Sequence, residues 1–307
     1  MHRPDKENND IYTLGRFPIK RTLTISATLL FLGFFFNFPI SQIIKENVAK
    51  SISSLKIRGC PISYSKIEVE YFFFPKVILK KPSISGNCFG NPKEKIDFKE
   101  LMVKLYIPSF WPPGIRLHAP VKYKKTHLDI YLTKGLGKMH ANIKDSNVNG
   151  KFISKFSSVV KDIQGDININ TLASMTNNGP TDGDILLTSK NIKLGSQNIM
   201  GVQLPSLSIG DFLFKAEFKR PKLKIMELKI GNKTSPFKAK MTGTINYNNK
   251  YPKRSEINLK GSIFFSQNFI SEFPILNIIL AGKNANSEGG YNIELTGTLG
   301  AFKHKFK

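Results

Sequence analysis

The stretch Phe237-Lys238-Ala239-Lys240-Met241-Thr242-Gly243-Thr244-Ile245-Asn246-Tyr247 alternates without a break: every odd position is Phe, Ala, Met, Gly, Ile or Tyr, and every even one is Lys, Thr or Asn. Successive side chains of a β-strand point to opposite faces, so this run reads as one strand of a half-buried antiparallel sheet. The same period extends outward in both directions. Ile67-x-Val69-x-Tyr71-x-Phe73, Leu101-x-Val103-x-Leu105-x-Ile107, Leu128-x-Ile130-x-Leu132, Ile257-x-Leu259-x-Gly261-x-Ile263-x-Phe265 and Tyr291-x-Ile293-x-Leu295-x-Gly297-x-Leu299 all follow it. Between Leu223-x-Ile225 and Met226-x-Leu228-x-Ile230 the phase slips by one residue, as a β-bulge or short break requires. The expected fold is mainly β, an elongated, curved antiparallel sheet over residues 59–307.

One or two short helices are expected to cover that sheet. Phe152 to Val160 and Gln267 to Gly282 break the strand period, and the second is apolar nearly all round, with Pro274 inside it. Turns are expected at Asn147-Val148-Asn149-Gly150, Asn177-Asn178-Gly179-Pro180, Asp182-Gly183 and Asn248-Asn249. None is long enough for a flexible linker, so the region reads as one domain or as two lobes meeting near residues 150–165.

Ahead of the strands, Thr22 to Ile44 (TLTISATLLFLGFFFNFPISQII) holds twenty-three residues without a charge. At about 1.5 Å per helical residue it reaches roughly 34 Å, enough to cross a bilayer. Basic residues precede it, as in a secretory signal, but the apolar run is too long and no small-x-small cleavage site follows, so an uncleaved anchor is expected. Charge contrast orients it poorly: five Lys or Arg lie in residues 1–21 and four in residues 41–60. Long soluble domains cross largely regardless of charge, which places the rest of the chain outside the cytoplasm. Residues 1–21 read as a cytoplasmic tail, 22–44 as the transmembrane anchor and 45–58 as a membrane-proximal helix. The last rests on Ile43, Ile44, Val48, Ile52 and Leu55 at helical spacing, continuing the anchor past a kink at Pro39.

Cys60 and Cys88 are the only cysteines. In an exported segment an even pair reads as a disulfide, with two buried thiols as the alternative. The formal net charge is +24. Such a field attracts anionic lipid headgroups, lipopolysaccharide or acidic proteins rather than nucleic acid. Only seven of the 46 basic residues are Arg, however, so a compositional drift toward Lys accounts for the charge as well as a binding surface does.

No motif carries catalysis. A nucleophile elbow, a phosphate loop, a zinc-protease helix and a dinucleotide fingerprint are all missing from the sequence. His118, His127 and His140 fall on different expected strands with no carboxylates at matching spacing, and read as exposed strand residues. Asp182-Gly183-Asp184 lacks the further oxygen ligands of a calcium loop. No enzyme, cofactor or metal is therefore expected. Phe72, Phe74, Phe110 and Trp111 form the candidate contact surface, since consecutive aromatics point to both faces of a strand. The segment around Trp111 has the alternative reading of a buried corner where a strand leaves the sheet.

Taken in order, these features resemble the type II secretion system protein N family. The resemblance rests on the anchor with Phe and Pro at its end, on Gly59-Cys60-Pro61, and on Ser85-Gly86-Asn87-Cys88-Phe89-Gly90. Downstream it continues through Gly165-Asp166-Ile167-x-Ile169, Gly183-Asp184-Ile185-Leu186-Leu187, Met241-Thr242-Gly243-Thr244-Ile245, Ser255-x-Ile257-Asn258-Leu259-Lys260-Gly261 and Leu295-Thr296-Gly297-Thr298-Leu299. It implies a bacterial inner-membrane protein with a periplasmic β domain, a structural subunit whose partners are other secretion-system subunits. The strand pattern also resembles AsmA-like proteins, which implies the alternative of a groove for phospholipid or another anionic lipid. No catalytic residue comes with either resemblance.

Overall fold

The computed structural model describes residues 23–30, 33, 39–57, 59–70, 74–89, 91–110, 113–135, 137–156, 162–176, 179–199, 202–248, 251 and 254–306. The expected tail, residues 1–21, lies outside them, as do parts of the expected anchor at 22, 31–32 and 34–38. Residues 23–30 are helical, with Leu23, Ile25, Leu29 and Leu30 exposed. Among the described residues no helix is long and apolar enough to cross a membrane.

A helix then runs from Ile40 to Ile57. It starts after Pro39, whose carbonyl accepts from the amides of Gln42 and Ile43, and the expected boundary at residues 44 and 45 falls inside one element; the chain leading into the expected kink, residues 34–38, lies outside the described residues. Its end is a left-handed cap. Gly59, at φ 84°, donates to the Lys56 carbonyl and Cys60 donates to that of Leu55, the paired bonds of a Schellman motif. A residue with a Cβ is disfavoured at that φ.

Strands follow almost without interruption. The first five are β1 (Ile62–Ser63), β2 (Lys66–Glu70), β3 (Lys76–Lys80), β4 (Ser83–Ser85) and β5 (Lys95–Asp97). Next come β6 (Glu100–Phe110), β7 (Pro113–Tyr123), β8 (Thr126–Lys134), β9 (Met139–Asn149), β10 (Ile163–Thr176) and β11 (Gly179–Leu194). After the short β12 (Gln197–Ile199) and β13 (Val202–Leu204), the long strands resume as β14 (Leu207–Lys219), β15 (Lys222–Ile230) and β16 (Phe237–Asn246). The last three are β17 (Glu256–Phe265), β18 (Tyr291–Thr298) and β19 (Ala301–Phe306).

Fourteen of these strands form one antiparallel sheet in which neighbours in space follow one another in sequence. Two detours leave the series. Between β3 and β6 the chain makes β4 and β5, which join β1, from ahead of β2, in a small sheet, and between β11 and β14 it inserts the β12–β13 hairpin. At about 4.8 Å per strand, fourteen strands make a sheet about 60 Å wide. β9 and β10 pair from Met139 opposite Met175 to Asn149 opposite Asp166, so the sheet does not divide into lobes at residues 150–165.

The phase slip lies where the sequence places it. Lys215 faces Glu227 while Ala216 faces Ile225, leaving Met226 as the extra residue. Two expected turns are instead strand. Asp182 and Gly183 lie inside β11, opposite Lys219 and Phe218, and Asn147 and Val148 lie inside β9. Turn-type residues are used here for other ends: Val148 is core, and Asn149 caps the helix Gly150–Ser154 by accepting from the Lys151 amide. That helix ends earlier than the expected Phe152–Val160, whose residues 157–160 lie outside the described ones. The expected helix Gln267–Gly282 is two, Gln267–Glu272 and Pro274–Leu280. Pro274 lacks an amide proton and its ring would clash with the carbonyl four residues back, so it begins a helix instead of continuing one.

Candidate functional site

Cross-strand register decides what each face of the sheet carries. One row can be followed from Leu105 through Leu117, Leu132, Ala141, Ala173, Gly183, Phe218, Leu223, Ile245, Ile257 and Gly297 to Phe302, twelve strands without a polar side chain. A parallel row leads from Ala119 through Ile130, Ile143, Thr171, Ile185, Ala216 and Ile225 to Leu259. In antiparallel pairing, residues directly opposite share a face, so the separate alternations add up to one continuous apolar surface.

Among the described residues that surface is covered at two places. Toward the N-terminal side, Ile96 and Phe98 of the small sheet meet Val148 and Phe152, with Phe89, Val121, Tyr123 and Leu128 packed around them. The segment is held down by Lys155, whose ammonium donates to Glu94 at 2.8 Å and to the Lys95 carbonyl at 3.3 Å, while Asn91 donates to the Lys155 carbonyl at 3.0 Å. The Glu94 carboxylate raises the Lys155 pKa above the usual lysine value. Gly86 makes the fold of this cover possible, because a Cβ there would run into the backbone at Asn91 and Glu94. Toward the C-terminal side, Phe269, Phe273 and Leu280 of the two helices are buried, as are Ile225, Ala239, Met241, Ile257, Leu259 and Ile293 on the strands. A ladder of rings, Phe237 to Phe265 to Phe269 to Phe273, ties helix to sheet at centroid spacings of 5.6, 5.9 and 4.7 Å.

Between the two covers the burial changes. Leu117, Ile130, Leu132, Ile143, Ile185, Leu187 and Phe214 are only half-buried, and Ile115 and Val103 are exposed. The central strands therefore present an apolar face that is not packed shut. The opposite face is polar. Asn147 donates to Asn168 at 3.1 Å and Asn149 to Asp166 at 2.8 Å. On β7 and β8, His118 Nε2 lies 2.7 Å from Asp129, its ring stacks on Tyr131 at 4.4 Å, and Arg116 sits 4.6 Å from the same ring. His118 is thus not the free strand residue expected from sequence. The signal was the Lys124-Lys125 turn, which folds β8 back and brings Asp129 diagonally beside His118.

Cys60 and Cys88 are joined in a disulfide. It links the C-terminal cap of the Ile40–Ile57 helix to the 3-10 turn Gly86–Phe89, and Phe89 packs into the N-terminal cover. Of the four candidate contact aromatics, the structure describes the side chain of Phe74 alone. Phe74 is half-exposed with its ring 5.3 Å from Tyr106, and Phe110 ends β6 opposite Pro113. Phe72 and Trp111 lie outside the described residues, as does the side chain of Phe110. Among the described residues no group of three or more His, Cys, Asp or Glu is placed to hold a metal ion.

No family model, curated protein or solved structure matches the chain.

Proposed function

We propose that this chain is an anchored protein of the bacterial envelope whose sheet holds the acyl chains of phospholipid or another anionic lipid against its apolar face. Residues 22–44 serve as the inner-membrane anchor in this reading and the β domain stands in the periplasm. The observation that carries it is the apolar surface running across twelve strands and only half-buried between its two covers. Exposed apolar surface beyond a few hundred Å² marks an interaction site in a stable protein. The continuous rows match a long hydrocarbon better than a compact polar ligand, and the reading needs no catalytic residue. Full-length protein purified in detergent should retain phospholipid detectable by mass spectrometry. Leu132→Lys or Ile185→Lys, each placing a charge on the half-buried face, should strip it. Absence of lipid from the parent, or equal lipid in these variants, would reject the groove.

A second reading, a structural subunit of a type II secretion assembly, is favoured by β19. It pairs with β18 along one side, and five of its six residues are exposed, which suits addition of a partner strand. Co-purification of other secretion subunits in mild detergent supports that reading, and a solitary protein counts against it.

A further inference from the structure

The polar face of β15–β17 holds an arrangement that pairing alone does not explain. Lys229 and Lys240 stand directly opposite one another on adjacent strands. Like charges so placed, with Cβ atoms about 5 Å apart, destabilise a sheet. Lys238 and Lys233 line the same pocket of 310 Å³. None of the four forms an ion pair among the described residues, whereas Lys260 nearby meets Glu294 at 3.2 Å. The pocket's far wall is the turn Asn286–Gly290, in which the Asn286 side-chain oxygen accepts from the amides of Glu288 at 3.0 Å and Gly290 at 2.9 Å. The Phe264 ring floors it, with the Lys238 ammonium 3.8 Å from the ring centroid. One carboxylate, Glu288, shares the lining, and the balance is strongly positive.

Beyond Lys240 and Ser262 the concavity opens into a second pocket of 560 Å³, walled by Thr242, Ser287 and Asn292. Hydroxyls and amides in that number suit a ligand with several hydroxyl groups, and the lysines suit an anion. Lysine meets phosphate as a point charge and needs no planar fork. The two volumes fall in the range of small-ligand sites.

We infer that the polar face of β15–β17, closed on one side by the Asn286–Gly290 turn, binds a phosphate ester of a small polyol. Bound there, the phosphate sits between Lys229 and Lys240 and replaces their repulsion with two attractions, while the polyol extends toward Thr242 and Asn292. The ligand is either a soluble sugar or glycerol phosphate or the headgroup of a phosphatidylglycerol-type lipid. This site lies on the opposite face from the apolar rows, so it stands or falls apart from the acyl-chain reading.

The test uses the full chain in a non-ionic detergent, titrated with glycerol 3-phosphate, with glucose 1-phosphate, and with short-chain phosphatidylglycerol in mixed micelles. Sodium chloride at matched ionic strength is the control. At least one phosphate ester should raise Tm and bind in calorimetry, and the Lys229→Gln/Lys240→Gln variant should bind it at least tenfold more weakly. Without ligand that variant should melt no lower than the parent, because its like-charge pair is gone. Lys233→Gln, on an exposed loop, should weaken binding by a smaller factor and guards against a folding defect in the double variant. Binding of the soluble esters assigns a free metabolite, and binding of the micellar lipid alone assigns a headgroup. An equal Tm rise with sodium chloride, no binding by any ester, or binding unchanged in the double variant would overturn the site.

Discussion

Single side chains decide whether the apolar face is sealed at its N-terminal side, and Lys155 is the clearest case. It clamps the small sheet through Glu94 and the Lys95 carbonyl, and its folded pKa is raised above the ordinary lysine value. A raised folded pKa means that this contribution is fully present below about pH 10.5 and is lost as pH rises through the higher folded value. Lys155→Met should therefore destabilise the domain at pH 8 and flatten the loss of stability between pH 10 and 12, read from urea midpoints. Identical alkaline profiles for parent and variant would show the clamp to be idle. Residue identity also misleads at this scale. Asp182-Gly183 looks like a turn, yet Gly183 sits mid-strand because a Cβ there would strike the backbone of Leu172 and Ala173. Nothing in the local sequence separates a glycine that turns the chain from one that admits a neighbouring strand.

At the scale of elements, period-two alternation made the strands legible, and the slip at Met226 made even a bulge legible, because both are local consequences of pleating. The covers were less so. The broken helix at Phe273–Pro274 follows from proline chemistry once Pro274 is noticed, but the small sheet of β1, β4 and β5 has strands of two or three residues, too short to show a period. Its tie to the Ile40–Ile57 helix is the Cys60–Cys88 disulfide, with a sequence separation of 28. In the chain-entropy model a loop of that size stabilises the fold by roughly 3–4 kcal/mol. Alkylation of native protein without reductant should label neither cysteine. A Cys60→Ser/Cys88→Ser variant should lose about 3 kcal/mol by urea unfolding and should gain protease cleavage between residues 57 and 66. A double variant as stable as its parent would show that the bridge only records an oxidising compartment.

For the whole molecule, the sheet's two-faced character was readable from alternation, whereas the openness of the apolar face was not. A strand covered by a helix and a strand left half-bare have the same alternating sequence. Only the contrast between buried Ile257 and half-buried Leu132 on one continuous row distinguishes them. The polar-face lysines were equally hidden, since Lys229 and Lys240 become neighbours only through the β15–β16 register. Orientation belongs to this scale too. A reporter fused after Lys307 should be active in the periplasm alone, and one fused before Arg16 in the cytoplasm alone. The opposite pattern would remove the periplasmic setting on which the proposed function stands. The strand order has one more effect, on how the chain reaches this state. Since nearly every strand pairs with the one made just before it, each new segment finds its partner already in place wherever the chain emerges to fold. The sheet can grow by zippering, its low contact order keeping the entropy of each closure small. At every stage the unpaired edges are the growing strand and β2, not a set of strands awaiting distant mates.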